Sequence, residues 1–271
     1  MKKLIFLSFF ISFCTYLIAQ NAEALVKAEK DFEKSCLEKG IRDGFLAHVD
    51  SNGIQFTNAG PVDAKKFWRS LPVFEGVFSW SPTFAEMSIS GDWGYTTGNY
   101  EHRPKTLKDT VEESGQYTTV WHKLETGQWK YLMDIGNNHS PQALENNPIV
   151  IDLKKYGAGK NTGETTLLDQ ENIFIQAFEK SIRSAYSESG SSKYILNITG
   201  RLPLTSTDST AAILDKLPAL RYHPVGVQIS PGTDMAAVYG TFIQAGKTGS
   251  YLRIWRHEKR GWKVALEVIR I

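Results

Sequence analysis

The chain has 271 residues with 31 Lys and Arg, 29 Asp and Glu, and a formal charge of +2. Lys2 and Lys3 fall in a leader segment, and without them basic and acidic residues balance at 29 each. That balance excludes the basic surface needed by a nucleic-acid binder or a partner of anionic lipid. Of two cysteines, only Cys36 lies beyond the leader, so no internal disulfide can form there and packing alone must hold the fold.

The first twenty residues, MKKLIFLSFFISFCTYLIAQ, place two lysines before a long apolar run closed by Ala19. This pattern predicts a secretory signal peptide over 1–19 and an exported protein, periplasmic or secreted, with no membrane association after cleavage. Phe13 stands where a lipoprotein signal would need a small residue before Cys14.

Next, Leu25, Ala28, Phe32 and Cys36 recur at helical spacing and predict a helix over Ala24 to Lys39, capped at Gly40. Cys36 on that stripe reads as a core residue. A short helical piece covers Ile41 to Val49. Asp50-Ser51-Asn52-Gly53 reads as a turn before a strand, Ile54 to Thr57. Asp63 is the expected N-cap of a helix from Ala64 to Leu71, stopped before Pro72. Strands follow at Pro82 to Ser90, Trp93 to His102, and a hairpin from Gln116 to Ile135. Helices followed by antiparallel strands define an α+β class.

The hairpin occurs twice. Residues 117–136 read YTTVWHKLETGQWKYLMDIG and 251–270 read YLRIWRHEKRGWKVALEVIR. Pro82 to Tyr100 match Pro224 to Phe242 at a constant offset, and the repetition extends back to the first helix. The organisation expected is a first domain at 20–139, a linker at 140–165 rich in Asn, Gly and Pro, and a second domain at 166–271. Pro148 to Ile151 could pack as an edge strand within that linker.

SISGDWGYTTGNY followed by GQYTTVWHKLETGQWKYLMDIGN, with GPVDAKKF at 60–67, resembles the DUF4440 family of the SnoaL-like, NTF2-like superfamily. The resemblance covers Ala24 to about His139. In the second repeat it keeps the skeleton but lacks the GPVDA counterpart. It implies two cones, each a curved antiparallel sheet wrapped around helices and often holding an apolar pocket. Isomerases, dehydratases, cyclases and non-catalytic proteins share this fold, so function must come from the site.

Strand alternation puts Trp262, Val264, Leu266 and Val268 on the core face, and Trp129, Tyr131, Met133 and Ile135 likewise. Tyr117 and Trp121 join that face. With Trp68 and Tyr95 they form a candidate pocket wall, or else plain core. The same alternation assigns Asp134 to the outer face beside Lys130. His48 and Asp50, near the mouth, are candidate acid–base residues. His102, His122 and His139 lack ligand spacing, so no metal is expected. No Walker, Rossmann or nucleophile-elbow pattern implies a cofactor; GAGKNTG at 157–163 lacks the P-loop ending. The reading favoured is a binding module for a small apolar or aromatic ligand. A small-molecule enzyme and a protein-interaction module are the alternatives. Val120 and Leu132, with Leu252, Ile254 and Ala265, make both outer faces apolar, which predicts an intrachain pseudo-dimer in a monomeric protein.

Overall fold

The computed structural model describes residues 23–73, 75–141, 150–152, 164–205, 208–218 and 220–271. The expected leader with its cleavage position, and most of the expected linker, lie outside the described residues.

The architecture is α+β, and two halves follow one order of elements. The first has helices α1 (23–39), α2 (Ile41–His48) and α3 (Ala64–Ser70) with strands β1 (Val49–Thr57), β2 (Gly60–Asp63), β3 (Val77–Met87), β4 (Trp93–Arg103), β5 (Glu113–Lys123) and β6 (Trp129–His139). β7 (Val150–Asp152) lies between the halves in sequence. The second has α4 (Glu164–Lys180), α5 (Ile182–Ser189), β8 (Gly190–Ile198), β9 (Leu204–Thr205), α6 (Asp208–Leu214), β10 (Arg221–Ile229), β11 (Met235–Gln244), β12 (Lys247–Glu258) and β13 (Gly261–Arg270).

Local chemistry explains the helical section. Leu25, Ala28, Phe32 and Cys36 are all buried, one stripe facing the sheet. Gly40, at φ 82°, supplies the positive φ that turns α1 into α2. The Asp63 carboxylate accepts from the Lys66 N–H at 2.8 Å and starts α3.

The strand order is β2-β1-β6-β5-β4-β3-β7 in the first sheet and β10-β11-β12-β13-β8-β9 in the second. Each sheet is mixed rather than purely antiparallel. The strand leaving the helices lies parallel to the last strand, β1 beside β6 and β8 beside β13. β7 pairs in parallel with β3 as an edge strand. Asp50 to Gly53 are not a turn; they lie in β1, where its register against β6 shifts between Val49 and Ile54. β3 starts at Val77, ahead of Pro82, which sits at a register shift against β4 where a missing N–H is tolerated.

One irregularity decides which side chains reach the interior. Val120 pairs with Met133 but Trp121 pairs with Tyr131, leaving Leu132 as an extra residue in β6. In the second half Ile254 pairs with Leu266 but Trp255 with Val264, leaving Ala265 extra. Such a bulge reverses inside and outside for every residue beyond it. Trp121 and Tyr131 therefore face α1, as alternation predicts, whereas Met133 and Ile135 face outward and Asp134 faces inward. Likewise Trp262 and Val264 are interior, Leu266 and Val268 exterior, and Glu267 interior.

Each sheet closes around its own helices. Leu25, Phe32, Ala64, Trp121 and Tyr131 share the first core, and Phe174, Tyr186, Trp255 and Trp262 the second. A third cluster lies between the sheets, where Trp93, Tyr95, Val120 and Met133 meet Met235, Leu252, Ile254 and Leu266. Polar ties cross the same junction. Arg256 donates to both Glu86 oxygens at 2.7 and 2.9 Å, and Ser88 donates to Asp234 at 2.5 Å.

Candidate functional site

A cavity of about 450 Å³ opens in the first half. Phe32 of α1, Phe45 of α2, Phe67 and Trp68 of α3, and Phe78 and Trp80 of β3 wall it with aromatic rings. Phe45 and Trp68 lie 4.0 Å apart between ring centroids. Polar groups gather along one side: Gln55 from β1, Tyr117 from β5, and Asp134 and Asn138 from β6. Glu113 and Asn138 are exposed at the rim, and Arg270 of the second half also lines the cavity.

Asp134 sits among these groups because the bulge at Leu132 turns it inward, which corrects its expected place on the outer face. Thr119 Oγ1 donates to one carboxylate oxygen at 3.0 Å and Gln55 Nε2 to the other at 3.3 Å. Gln55 in turn accepts from the Trp68 indole at 3.0 Å, so a ring of the wall is tied to the acid. Burial pushes the Asp134 carboxyl up to about 6, against the opposing effect of these donors and of the Arg270 charge.

Behind the wall lies a second buried acid, Glu29. It accepts from Trp80 at 2.6 Å, from Trp121 at 2.9 Å, and from the Thr96 hydroxyl. Burial raises its carboxyl to about 7 even with three donors. Glu29 went unnoticed in the sequence although a signal existed. It shares the α1 stripe with Leu25 and Phe32, and its counterpart Glu171 likewise accepts from Trp255, at 2.8 Å. An indole N–H on a core strand needs such a partner.

Of the wall residues expected from the sequence, Tyr117 and Trp68 line the cavity. Trp121 and Tyr131 are fully buried in the core behind it. Tyr95 is corrected: it pairs with Val120, so it points outward and donates to Glu86 at 2.9 Å in the junction. The hydroxyls of Tyr117 and Tyr131 have no hydrogen-bond partner among the described residues. Burial, with Asp134 nearby, holds both phenols well above their ordinary range.

His48 and Asp50 do not form a pair at the mouth. Asp50 binds the His122 ring at 2.8 Å. Burial works against the Asp50 charge, but the Asn52 N–H and His122 outweigh it and hold the carboxyl below its usual range. His48 lies tilted against Phe32, 5.1 Å between ring centroids, and borders a separate cavity of about 370 Å³ beside Lys123 and Trp129. Burial first, then Lys130, lowers its ring to about 4. Among the described residues no cluster of His, Cys, Asp and Glu is placed to hold a metal ion.

In the second half charged side chains occupy the equivalent place among the described residues. Arg253, fully buried, binds Glu171 and Glu267, the latter at 2.7 Å. Its guanidinium lies 4.0 Å above the Phe174 ring. Tyr186 and Tyr222 donate to Glu267, the second at 2.8 Å.

A two-half α+β protein, with an aromatic-walled cavity in one half and Arg253 with its carboxylates at the matching place in the other, is the class that this fold and site define. No family model matches the sequence, and no curated protein matches it significantly. Solved structures match single halves. An NTF2-like protein from Cytophaga hutchinsonii aligns over 39% of this chain and 95% of its own, at 21% identity and a TM-score of 0.34. An NTF2-like protein of unknown function from Silicibacter pomeroyi aligns over 40% and 93%, at 16% identity and a TM-score of 0.33. A ketosteroid isomerase-like protein from Erwinia carotovora aligns over 44% and 96%, at 14% identity and a TM-score of 0.33. Likenesses at this level carry no ligand or activity to this chain.

Proposed function

We propose that this chain is an exported binding protein built from two NTF2-like domains of the SnoaL-like, DUF4440 type. Its first domain holds a small, largely apolar or aromatic ligand, and its second serves as structural partner. The observation that carries this reading is the contrast between the interiors. One is an aromatic-walled cavity of about 450 Å³ with a few polar groups on one side, the usual makeup of a small-molecule site. The other is occupied by Arg253 and its carboxylates. Trp68 and Trp80 stand in the wall, so occupancy should change tryptophan emission. A thermal-shift screen of planar aromatic compounds, followed by emission titrations, tests the reading. Hits whose emission change weakens in Trp68→Phe support it; a screen with no hit refutes it.

Asp134 supports a second reading, proton transfer on the bound ligand. A carboxyl near 6 can take and return a proton close to neutral pH, and Tyr117 lies on the same wall. This acid–base role would fall to Asp134 rather than to His48 and Asp50. Asp134→Asn should then abolish turnover of a screening hit while leaving its binding within about threefold. Loss of binding and turnover together would leave only the first reading.

A further inference from the structure

We infer that the ligand of the first-half cavity is an aryl carboxylic acid whose carboxylate is held by Arg270, a residue contributed by the second half. The inference rests on the binding reading above and adds the chemical class of the ligand and the residue that selects it.

Arg270 ends β13 and leans out of the second half: Ile269 before it packs inward, and Arg270 lines the first cavity. Two bonds fix the guanidinium there. Nη1 donates to the Gly136 carbonyl at 2.6 Å, and Nε donates to Asn58 Oδ1 at 3.1 Å. Both acceptors are neutral. A guanidinium has five N–H donors and stays charged at any physiological pH, so the rest of its fork is left for another acceptor.

Other arginines that are at least partly buried carry a counter-ion. Arg103 pairs with Glu101 and Arg42 with Asp43, and the buried Arg253 and Arg256 are held by Glu171 and Glu267 and by Glu86 and Glu258. Arg270 forms no ion pair among the described residues. A half-buried cation without a counter-charge is costly, and a carboxylate matches the free edge of a guanidinium with two parallel bonds. The acids that share the cavity, Asp134 and Glu113, are not within salt-bridge distance of Arg270. Asp134 is engaged with Thr119 and Gln55, and Glu113 with Asn138 at 3.3 Å. Arg270 still acts on the interior at range: it opposes the upward shift of both Asp134 and Tyr100.

These positions give the ligand a shape. An aromatic body can lie against the wall formed by Phe45, Trp68 and Trp80, with the acid group directed to Arg270. A hydroxyl or carbonyl on the inner side would meet Tyr117, whose own hydroxyl has no partner, and Asp134.

The test is calorimetric titration of the full chain with 1-naphthylacetate and with its neutral isostere, 1-naphthylacetamide. The acid should bind at least about tenfold more tightly, the value of one charge-assisted contact, and added salt should narrow the gap. Arg270→Gln should bring the two within about threefold, whereas Arg270→Lys should keep part of the preference. Because Arg270 also ties the halves together, Asn58→Ala serves as control: it removes one tether but no charge, and should retain the preference. If it erased the preference as Arg270→Gln does, the selection would come from packing and the inference would be overturned. Equal binding of acid and amide by the unmodified protein would overturn the inference and leave the pocket standing. Binding of neither probe would remove both.

Discussion

Thr119 donates to Asp134 at 3.0 Å across β5 and β6, and the same place in the second half is held by Arg253 and Glu267, at 2.7 Å. One scaffold therefore carries two interiors. A short hydroxyl leaves room beside the acid, whereas a long cation reaches both Glu267 and Glu171 and closes the space. Breaking that triad leaves two buried carboxylates without a counter-ion. Arg253→Ala should cost about 3–5 kcal/mol, the range for unpairing a buried ion. Urea unfolding at pH 7 measures it, and a loss below about 1 kcal/mol would mean that water already compensates these acids.

Stability should also fall as pH rises through the neutral range. Asp134 and Glu29 have folded-state values near 6 and 7, above the 3.8 and 4.5 of the free groups. The sign follows from proton uptake. Between the free and folded values the native state holds protons that the unfolded chain has lost, so raising pH favours unfolding. Their contribution is complete below about pH 4 and gone above about pH 7. Asp134→Asn and Glu29→Gln should each flatten the pH dependence of the melting temperature over that interval. Parallel curves for variant and parent would contradict the burial assigned to these groups.

Trp129 and Trp262 occupy matching hairpin positions, and the sequence alone gives no reason to separate them. The structure does. Trp262 is 2% exposed in the second core, whereas Trp129 is only half-buried beside His48. Trp262→Ala should cost about 3–5 kcal/mol, as for other core aromatics, and Trp129→Ala about 1 kcal/mol. Equal losses on chemical denaturation would show that the two hairpins pack alike.

That pair marks how far the sequence could be read. Order and class of elements were legible because they rest on local signals: the α1 stripe, Asp63 as a cap, and the paired hairpin motifs. Tyr117 was legible on the inner face because alternation holds along β5 up to Trp121, and Trp68 because it belongs to a helix packed on that side of the sheet. Beyond Leu132 alternation fails, since a bulge depends on how two strands pair and not on either one alone. The same slip hid Asp134. Tyr95 was misplaced because its face depends on its register against Val120. Arg270 had no local signal at all, as its place depends on how the second sheet packs against the first.

The last expectation concerns that packing. We propose that the full chain is monomeric because each half supplies the partner of the other. Val120, Met133 and Ile135 on the first sheet pack with Leu252, Ile254 and Leu266 on the second. Arg256 reaches across to Glu86 with both groups 3% exposed, and Asn197 donates to Thr97 at 3.3 Å. Removing the second half would expose the apolar residues together and strip Glu86 of its cation, leaving a surface of the kind that self-associates. Residues 21–141 expressed alone should dimerise or aggregate, and should unfold at a lower temperature than the full chain. Glu86→Ala in the full chain should weaken the junction without exposing apolar surface, lowering stability while leaving the protein monomeric by light scattering. A soluble, monomeric fragment that melts with the full chain would mean that the two sheets fold and persist independently.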